Sequence, residues 1–187
     1  MTRVPTAARG PLARWTLARQ SQQAARDEEF TAFVASVAPR LRRVAYLMCG
    51  DWHLAQDLTQ TTLARMYASW SRIWRNANLE AYSRRVLMNA VFDQRKRRSN
   101  TELVLAELPE PVRAGAQSTT ELHVTLVTAL ATLPARDQAI VVLRYWEDHS
   151  VQTVADILGL STTLVTTRSA RALSKLRAML GEEFVLT

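Results

Sequence analysis

The sequence predicts an all-α protein: two small helical domains joined by a flexible linker, with a helix-turn-helix in the C-terminal one. Three observations predict it. Apolar residues recur at spacings of three and four rather than two. Periodicity collapses between residues 99 and 118, where Pro109, Pro111 and Gly115 stand among scattered glutamates. The 187 residues are 48% apolar, enough for each half to close a helical core.

In chain order, Phe30, Phe33, Val34, Val37, Leu41, Val44 and Met48 form one helical stripe that ends at Gly50, a natural C-cap. Pro39 falls inside this stripe and predicts a kink or break. Asp51 is a good N-cap for a second helix over about 53–70, where Leu54, Leu58, Thr62, Met66 and Trp70 repeat at fours. Residues 71–78 lack a period and read as a loop. A third helix runs from about Leu79 into the cluster Arg95-Lys96-Arg97-Arg98. Beyond the linker, helices are expected over about 119–132, 135–147, 151–158 and 162–180, with Pro134 at a first-turn position. Residues 1–26 show no core face and read as a flexible basic arm. The expected divisions are therefore arm 1–26, first domain 27–98, acidic linker 99–118, second domain 119–182 and tail 183–187.

Charge is distributed unevenly. The net +7 comprises five arginines and no acid in residues 1–26, and twelve bases against seven acids in 27–98. The linker carries Glu102, Glu107 and Glu110 against Arg113. Residues 161–180 hold Arg168, Arg171, Lys175 and Arg177 with no acid. Local basic stretches of this kind mark a nucleic-acid footprint. No apolar run reaches the roughly 18 residues of a membrane span, and no secretory signal is visible, so a cytoplasmic location without membrane insertion is expected. A single cysteine, Cys49, excludes internal disulfide staples and thiolate metal clusters.

The sharpest local pattern is Val151 to Arg171. A helix-turn-helix needs a small residue at the helix crossing, a glycine in the turn and a buried apolar residue early in the second helix. Ala155, Gly159 and Val165 supply these, Val154, Leu158 and Leu160 fill the other inward positions, and Ser161 can cap the second helix. An ordinary antiparallel helix pair would share some of these features. The outward face distinguishes them: Thr162, Thr163, Thr166, Thr167, Arg168 and Arg171 offer hydroxyls and guanidiniums suited to phosphates and base edges.

A second pattern interleaves aromatic, amide and basic groups: Trp70, Trp74, Asn76, Asn78, Tyr82, Arg84, Arg85, Asn89, Gln94, Arg95, Lys96, Arg97 and Arg98. Stacking, edge-reading and phosphate-tracking groups together suit single-stranded or melted DNA. Trp70 and Tyr82 fit a core equally well, and the basic cluster fits a solvated helix end. On helix 53–70 the weakly charged face of Gln56, Asp57, Gln60, Thr61 and Arg65 suits a protein partner or plain solvent. No HExxH, CxxC, GxSxG or phosphate-cradling loop occurs, and His53, His123 and His149 lie far apart. No catalytic residue, metal site, cofactor or small-molecule substrate is therefore assigned, and His149 is expected in a loop ahead of the helix-turn-helix.

Three stretches carry a family resemblance: AYLMCGDWHLAQDLTQTTLARMYASW, LPARDQAIVVLRYWEDHSVQTVADILG and STTLVTTRSARALSKLR. In that order and spacing, the chain from about residue 27 to 182 resembles the extracytoplasmic-function (ECF) sigma factors of bacterial RNA polymerase. The likeness is greatest to their actinobacterial SigE-like subgroup. The resemblance implies a promoter-specificity subunit without enzymatic activity of its own. It implies partners: core RNA polymerase, through the largest-subunit coiled coil and the flap, promoter DNA, and an anti-sigma factor. Leu54, Asp57, Leu58, Gln60 and Thr61 would dock on the polymerase. The loop and helix from Trp74 to Arg98 would recognise and melt the minus-ten element, with Asn76 and Asn78 lining a pocket for a flipped base. Thr162, Thr163, Thr166, Thr167, Arg168 and Arg171 would read the minus-thirty-five element. The acidic linker would occupy a channel built for nucleic acid. Gln56 and Thr61 stand where the family often has acids, and Thr163, Leu164 and Thr166 replace a frequent glycine, threonine and lysine. The promoter sequence therefore does not transfer from relatives. The alternative is a stand-alone helix-turn-helix regulator that binds duplex DNA without polymerase and dimerises.

Overall fold

A computed structural model of the chain describes residues 11–73, 78–102 and 121–180. Among these there is no strand. Seven helices follow in order: α1 (Pro11–Cys49), α2 (Trp52–Ile73), α3 (Leu79–Glu102), α4 (Glu121–Ala131), α5 (Ala135–Val141), α6 (Val151–Leu158) and α7 (Thr162–Leu180). Directly after α5, Val142–Trp146 winds as a π-helical turn. The chain forms two units, one up to Ser36 and one from Val37 onward. The linker stretch 103–118 and tail 183–187 lie outside the described residues.

In the first unit the structure departs from the expected flexible arm, because residues 11–26 are helical. Ala, Arg, Gln and Leu are strong helix formers, and Pro11 suits a first helical position, where its missing N–H is no loss. Among the side chains described there, residues 19–26 are exposed and show no core face. The Gln23 amide donates to Asp27 Oδ1 at 2.9 Å, and Thr31 Oγ1 donates to the Asp27 carbonyl at 2.7 Å. Side-chain and backbone bonds one turn apart sustain this stretch.

In the second unit, α1 passes Pro39 without the expected break. Val37, Leu41, Val44, Leu47 and Met48 then face the core. Gly50 turns the chain in the left-handed region at φ +73°, where glycine has no Cβ penalty. Asp51 Oδ1 accepts from the amides of His53 (2.7 Å) and Leu54 (3.0 Å), capping α2 as the sequence predicts. On α2 the buried row is Ala55, Leu58, Thr59, Thr62, Met66, Trp70 and Ile73. The threonine hydroxyls are satisfied by carbonyls four residues back, Thr59 by Ala55 and Thr62 by Leu58. Against this row α3 sets Leu87, Met88, Ala90 and Val91.

The helix-turn-helix forms as expected. Ser150 Oγ accepts from the Thr153 amide at 3.0 Å and caps α6. Gly159 ends α6 at φ +64°. Ser161 Oγ accepts from the Leu164 amide at 3.2 Å and starts α7. Ala155 and Val165 are buried at the crossing. One inward position differs: Ile157 is buried beside Val154, while Leu158 and Leu160 are only half-buried. A helix of two turns buries one stripe, and the 3.6-residue period places Val154 and Ile157 on it together.

Helices from the two halves also meet. α3 packs on α6, and Gln138 of α5 reaches the end of α1, its amide donating to the Leu47 carbonyl at 2.7 Å. The hydrophobic periodicity does not foreshadow this apposition, because an apolar stripe does not name its partner: Leu47 of α1 lines an apolar cavity with Leu126, Leu130, Val141 and Val142.

Candidate nucleic-acid and polymerase interface

On α7, Thr162, Thr163, Thr166, Thr167 and Arg171 are all exposed, so the outward face read from the sequence exists as one surface. Its chemistry is narrower than the sequence implies. Thr166 Oγ1 donates to the Thr162 carbonyl at 3.0 Å and Thr167 Oγ1 to the Thr163 carbonyl at 2.9 Å. Each hydroxyl has spent its one proton and remains an acceptor, suited to a base amino group more than to a phosphate oxygen. Arg168 is turned away from that face: its Nη1 lies 2.9 Å from Asp137 Oδ1 of α5. Lys175 Nζ donates to the Thr132 carbonyl at 2.9 Å and braces α7 against the turn before α5.

On α3 the predicted residues separate into two groups. Arg85, Asn89, Lys96, Arg97 and Arg98 are exposed, and Gln94 is half-buried. Arg84 is 4% exposed. Its Nε donates to Glu147 Oε2 at 2.6 Å, its Nη2 lies 2.5 Å from the same oxygen, and Glu80 Oε2 is 3.3 Å from Nη1. Arg95 is half-buried; its Nη2 donates to the Met48 carbonyl at 2.5 Å and to Gln138 Oε1. Burial draws the Arg95 guanidinium below its usual pKa. Asn78 is exposed and caps α3, its Oδ1 accepting from the Ala81 amide at 2.9 Å, which leaves its NH2 as the available edge. Trp74 and Asn76 lie outside the described residues.

On α2, Asp57, Gln60 and Thr61 are exposed and share a polar face, with Leu54 half-buried at its border. Leu58 does not belong to it. At 6% exposure it is part of the core, because it shares the inward row of Thr62 and Met66 four and eight residues on. A docking surface on α2 therefore consists of the polar residues with Leu54.

His149 lies in the loop between the π-helical turn and α6, as expected. Its Nε2 is buried without a hydrogen-bond partner among the described residues. Burial pushes its pKa down, and the nearby Arg84 charge pushes it further, against an opposing pull from Glu147, Glu80 and Asp148. Asp148 beside it has φ +52°, a left-handed conformation that few non-glycine residues adopt.

Sequence reasoning missed Asp137, Gln138 and Glu147, the residues that restrain three of the predicted cations. Glu80, four residues before Arg84, was recognisable as a helix-surface pair. Gln138 is a polar residue leading the apolar run 139–143, which itself signals a buried hydrogen bond. Asp137 and Glu147 carry no such local signal.

Two family descriptions match the chain on either side of the linker: sigma-70 region 2 over residues 33–101, and sigma-70 region 4 over residues 129–178. The RNA polymerase sigma-E factor of Streptomyces coelicolor is 34% identical over 149 residues, covering 80% of this chain and 84% of the relative. The chain belongs to the sigma-70 family. The sigma-E factor of Streptomyces antibioticus is 36% identical over 152 residues, covering 80% and 83%. The same fold occurs in the sigma factor RpoE of Bartonella quintana, crystallised with the anti-sigma factor NepR. Its TM-score is 0.75 at 24% identity, covering 84% of this chain and 99% of that one. As an ECF-type sigma factor, the protein is a promoter-specificity subunit of RNA polymerase. Region 2 holds the α3 cations and the polar face of α2, and region 4 holds the helix-turn-helix. Among the described residues, no helix is long and apolar enough to cross a membrane.

Proposed function

We propose that region 2 docks on core polymerase through Leu54, Asp57, Gln60 and Thr61, and that α3 with its preceding loop captures and melts the minus-ten element. Region 4 reads the minus-thirty-five element from the outward face of α7. The observation carrying this division is that each matched region displays an exposed polar helix face: Arg85, Asn89 and Lys96–Arg98 on α3, among which Asp93 lies 3.8 Å from Arg65 of α2, and the acid-free Thr162, Thr163, Thr166, Thr167 and Arg171 on α7. The two faces suit different tasks. Cations along α3 can track a displaced strand, whereas threonine hydroxyls on α7 accept from base edges in a duplex groove.

Energetics explains why such a factor works through a larger machine. Opening duplex DNA forfeits about 1.4 kcal/mol of stacking per base-pair step. Holding one base on an aromatic face returns about 1–3 kcal/mol. A few captured bases bias melting, and the polymerase must hold the rest of the bubble. The chain accordingly acts in the cytoplasm, on promoter DNA, as a non-catalytic subunit. An anti-sigma factor is a further expected partner, since the sigma factor RpoE of the same fold was crystallised with the anti-sigma factor NepR, and a second protein of this fold, CnrH, forms a complex with the cytosolic domain of CnrY.

Run-off transcription with purified core enzyme on genomic fragments tests this reading. Discrete start sites that depend on the chain, and that weaken when Arg85 or Arg171 is replaced, are expected. Core enzyme that ignores the added chain refutes it. Dimerisation and tight operator binding without polymerase would instead favour the stand-alone regulator.

A further inference from the structure

The region 2 description matches from residue 33, whereas α1 begins at Pro11. Residues 11–32 therefore lie outside the part shared with the family. The described side chains from Arg19 to Arg26 are exposed without exception, so packing does not account for their presence. Before Asp27 the chain holds five arginines and no acid.

These cations do not form an ordinary solvated face. An amphipathic helix carries its polar residues opposite its apolar stripe. In α1, Arg19, Gln22 and Arg26 follow one another at spacings of three and four, and the same line continues into the half-buried Phe30 and Phe33. The stripe that turns apolar further along the helix thus carries two cations and an amide here. Neither arginine has an ion pair among the described residues, although Glu29 stands three residues after Arg26, a neighbour on the helix surface. Gln23 differs, because its amide is tied to Asp27.

We propose that the face formed by Arg19, Gln22 and Arg26 is a duplex-DNA contact that grips the phosphate backbone without reading sequence. The inference extends the promoter-binding reading and rests on it. Residues 19–26 contain no aromatic or branched apolar side chain. They therefore lack the apolar anchor on which a protein interface centres, the stacking platform that a single strand needs, and the apolar face that a membrane-surface helix inserts. Spacing fits a duplex. Seven residues of helix set Arg19 and Arg26 about 10 Å apart along the axis, close to the roughly 12 Å width of the major groove, so their guanidiniums can meet phosphates on both of its walls. Arginine can donate two parallel N–H bonds to one phosphate, and the Gln22 amide between the two adds a further donor. Such contacts supply affinity and orientation but carry no sequence information.

The test is the salt dependence with which holoenzyme, assembled from core polymerase and the full chain, binds a labelled duplex of random sequence. Each phosphate contact contributes about 0.9 to the slope of log K against log salt. Arg19→Gln with Arg26→Gln should therefore flatten the slope by about 1.8, so that the affinity lost between about 50 and about 200 mM salt is about 12-fold smaller than for the unaltered chain. Random and promoter duplexes should be weakened by the same factor. Glutamine forms helices about as well as arginine, so far-UV circular dichroism should not change. Arg19→Lys with Arg26→Lys should keep the slope, since lysine still neutralises a phosphate. An unchanged slope in the glutamine variant overturns the proposal, and weaker association with core polymerase alongside it would assign this face to a protein partner. A lysine variant as flat as the glutamine one overturns it too, because charge would not then be the cause. A flattened slope in a holoenzyme that selects no start site upholds the contact and refutes the promoter reading instead. Should core enzyme not bind the chain, the same titration with the chain alone gives the slope.

Discussion

Replacing Asp137 by Asn should strengthen promoter binding, although Asp137 never touches DNA in the proposed complex. Arg168 is the first guanidinium on the region 4 recognition helix, and its Nη1 sits 2.9 Å from Asp137 Oδ1, with side chains 36% and 19% exposed. A pair this open to solvent is worth about 0.2–1 kcal/mol. That is the cost of freeing Arg168 to meet a phosphate, and at 1.4 kcal/mol per tenfold it corresponds to a gain of about 1.4- to 5-fold in affinity when the carboxylate is neutralised. Asparagine keeps the shape and one acceptor, so the α5–α7 packing should survive. Salt dependence identifies the origin of the gain. If the variant adds one phosphate contact, the slope of log K against log salt should steepen by about 0.9. Fluorescence anisotropy of the holoenzyme on a minus-thirty-five duplex, between 50 and 200 mM salt, measures both quantities. A loss of affinity at every salt concentration would refute the reasoning and make Arg168 a structural brace between α5 and α7.

Two further outcomes follow from a left-handed turn and a buried histidine. Gly159→Ala should destabilise the chain by about 1 kcal/mol in urea denaturation, and Gly159→Asn by less. The cost is the left-handed φ of +64° alone, because an added Cβ meets no atom within 4 Å; a loss above about 3 kcal/mol would show that the turn is packed rather than strained. Acid should weaken the fold through His149, whose pKa in the folded chain lies below the usual 6.5 because the ring is buried and the Arg84 charge stands near it. The folded chain binds that proton less readily than the unfolded one, so the contribution is full above 6.5 and is lost as pH falls through the depressed value. His149 faces Arg84 and Glu80 from α3 and Glu147 and Asp148 from its own loop. Urea denaturation should therefore show stability falling on acidification, and His149→Gln should flatten that fall; an identical pH profile in the variant excludes His149 as the titrating group.

Much of the architecture is written locally. Gly50 with Asp51, and Gly159 with Ser161, are stop and start signals whose effect depends on one or two φ angles and a single side-chain oxygen, so α1–α2 and α6–α7 could be bounded from the sequence. Burial rows set by the helical period were legible for the same reason, as Met66 and Trp70 show. Residues 11–26 were misread because high helix propensity without an apolar stripe leaves no periodic signal, although it suffices to form a helix.

The functional faces were legible only as composition. Thr162, Thr163, Thr166, Thr167 and Arg171 form the expected surface because a helix repeats faithfully and one exposed side follows from one buried side. The fates of Arg84, Arg95 and Arg168 were decided otherwise. Their partners Glu147, Gln138 and Asp137 lie 63, 43 and 31 residues away. Charged pairs at such separation have no period, and the same arginines would look identical in sequence whether solvated, bound to phosphate or closed against a carboxylate. Beyond residues 11–26, the positions of most helices, their turns and the chemistry each can offer follow from local sequence. Which of those cations are exposed and which are paired follows from packing, because it depends on partners brought close from distant positions: Glu147 and Gln138 across the two regions, and Asp137 within region 4.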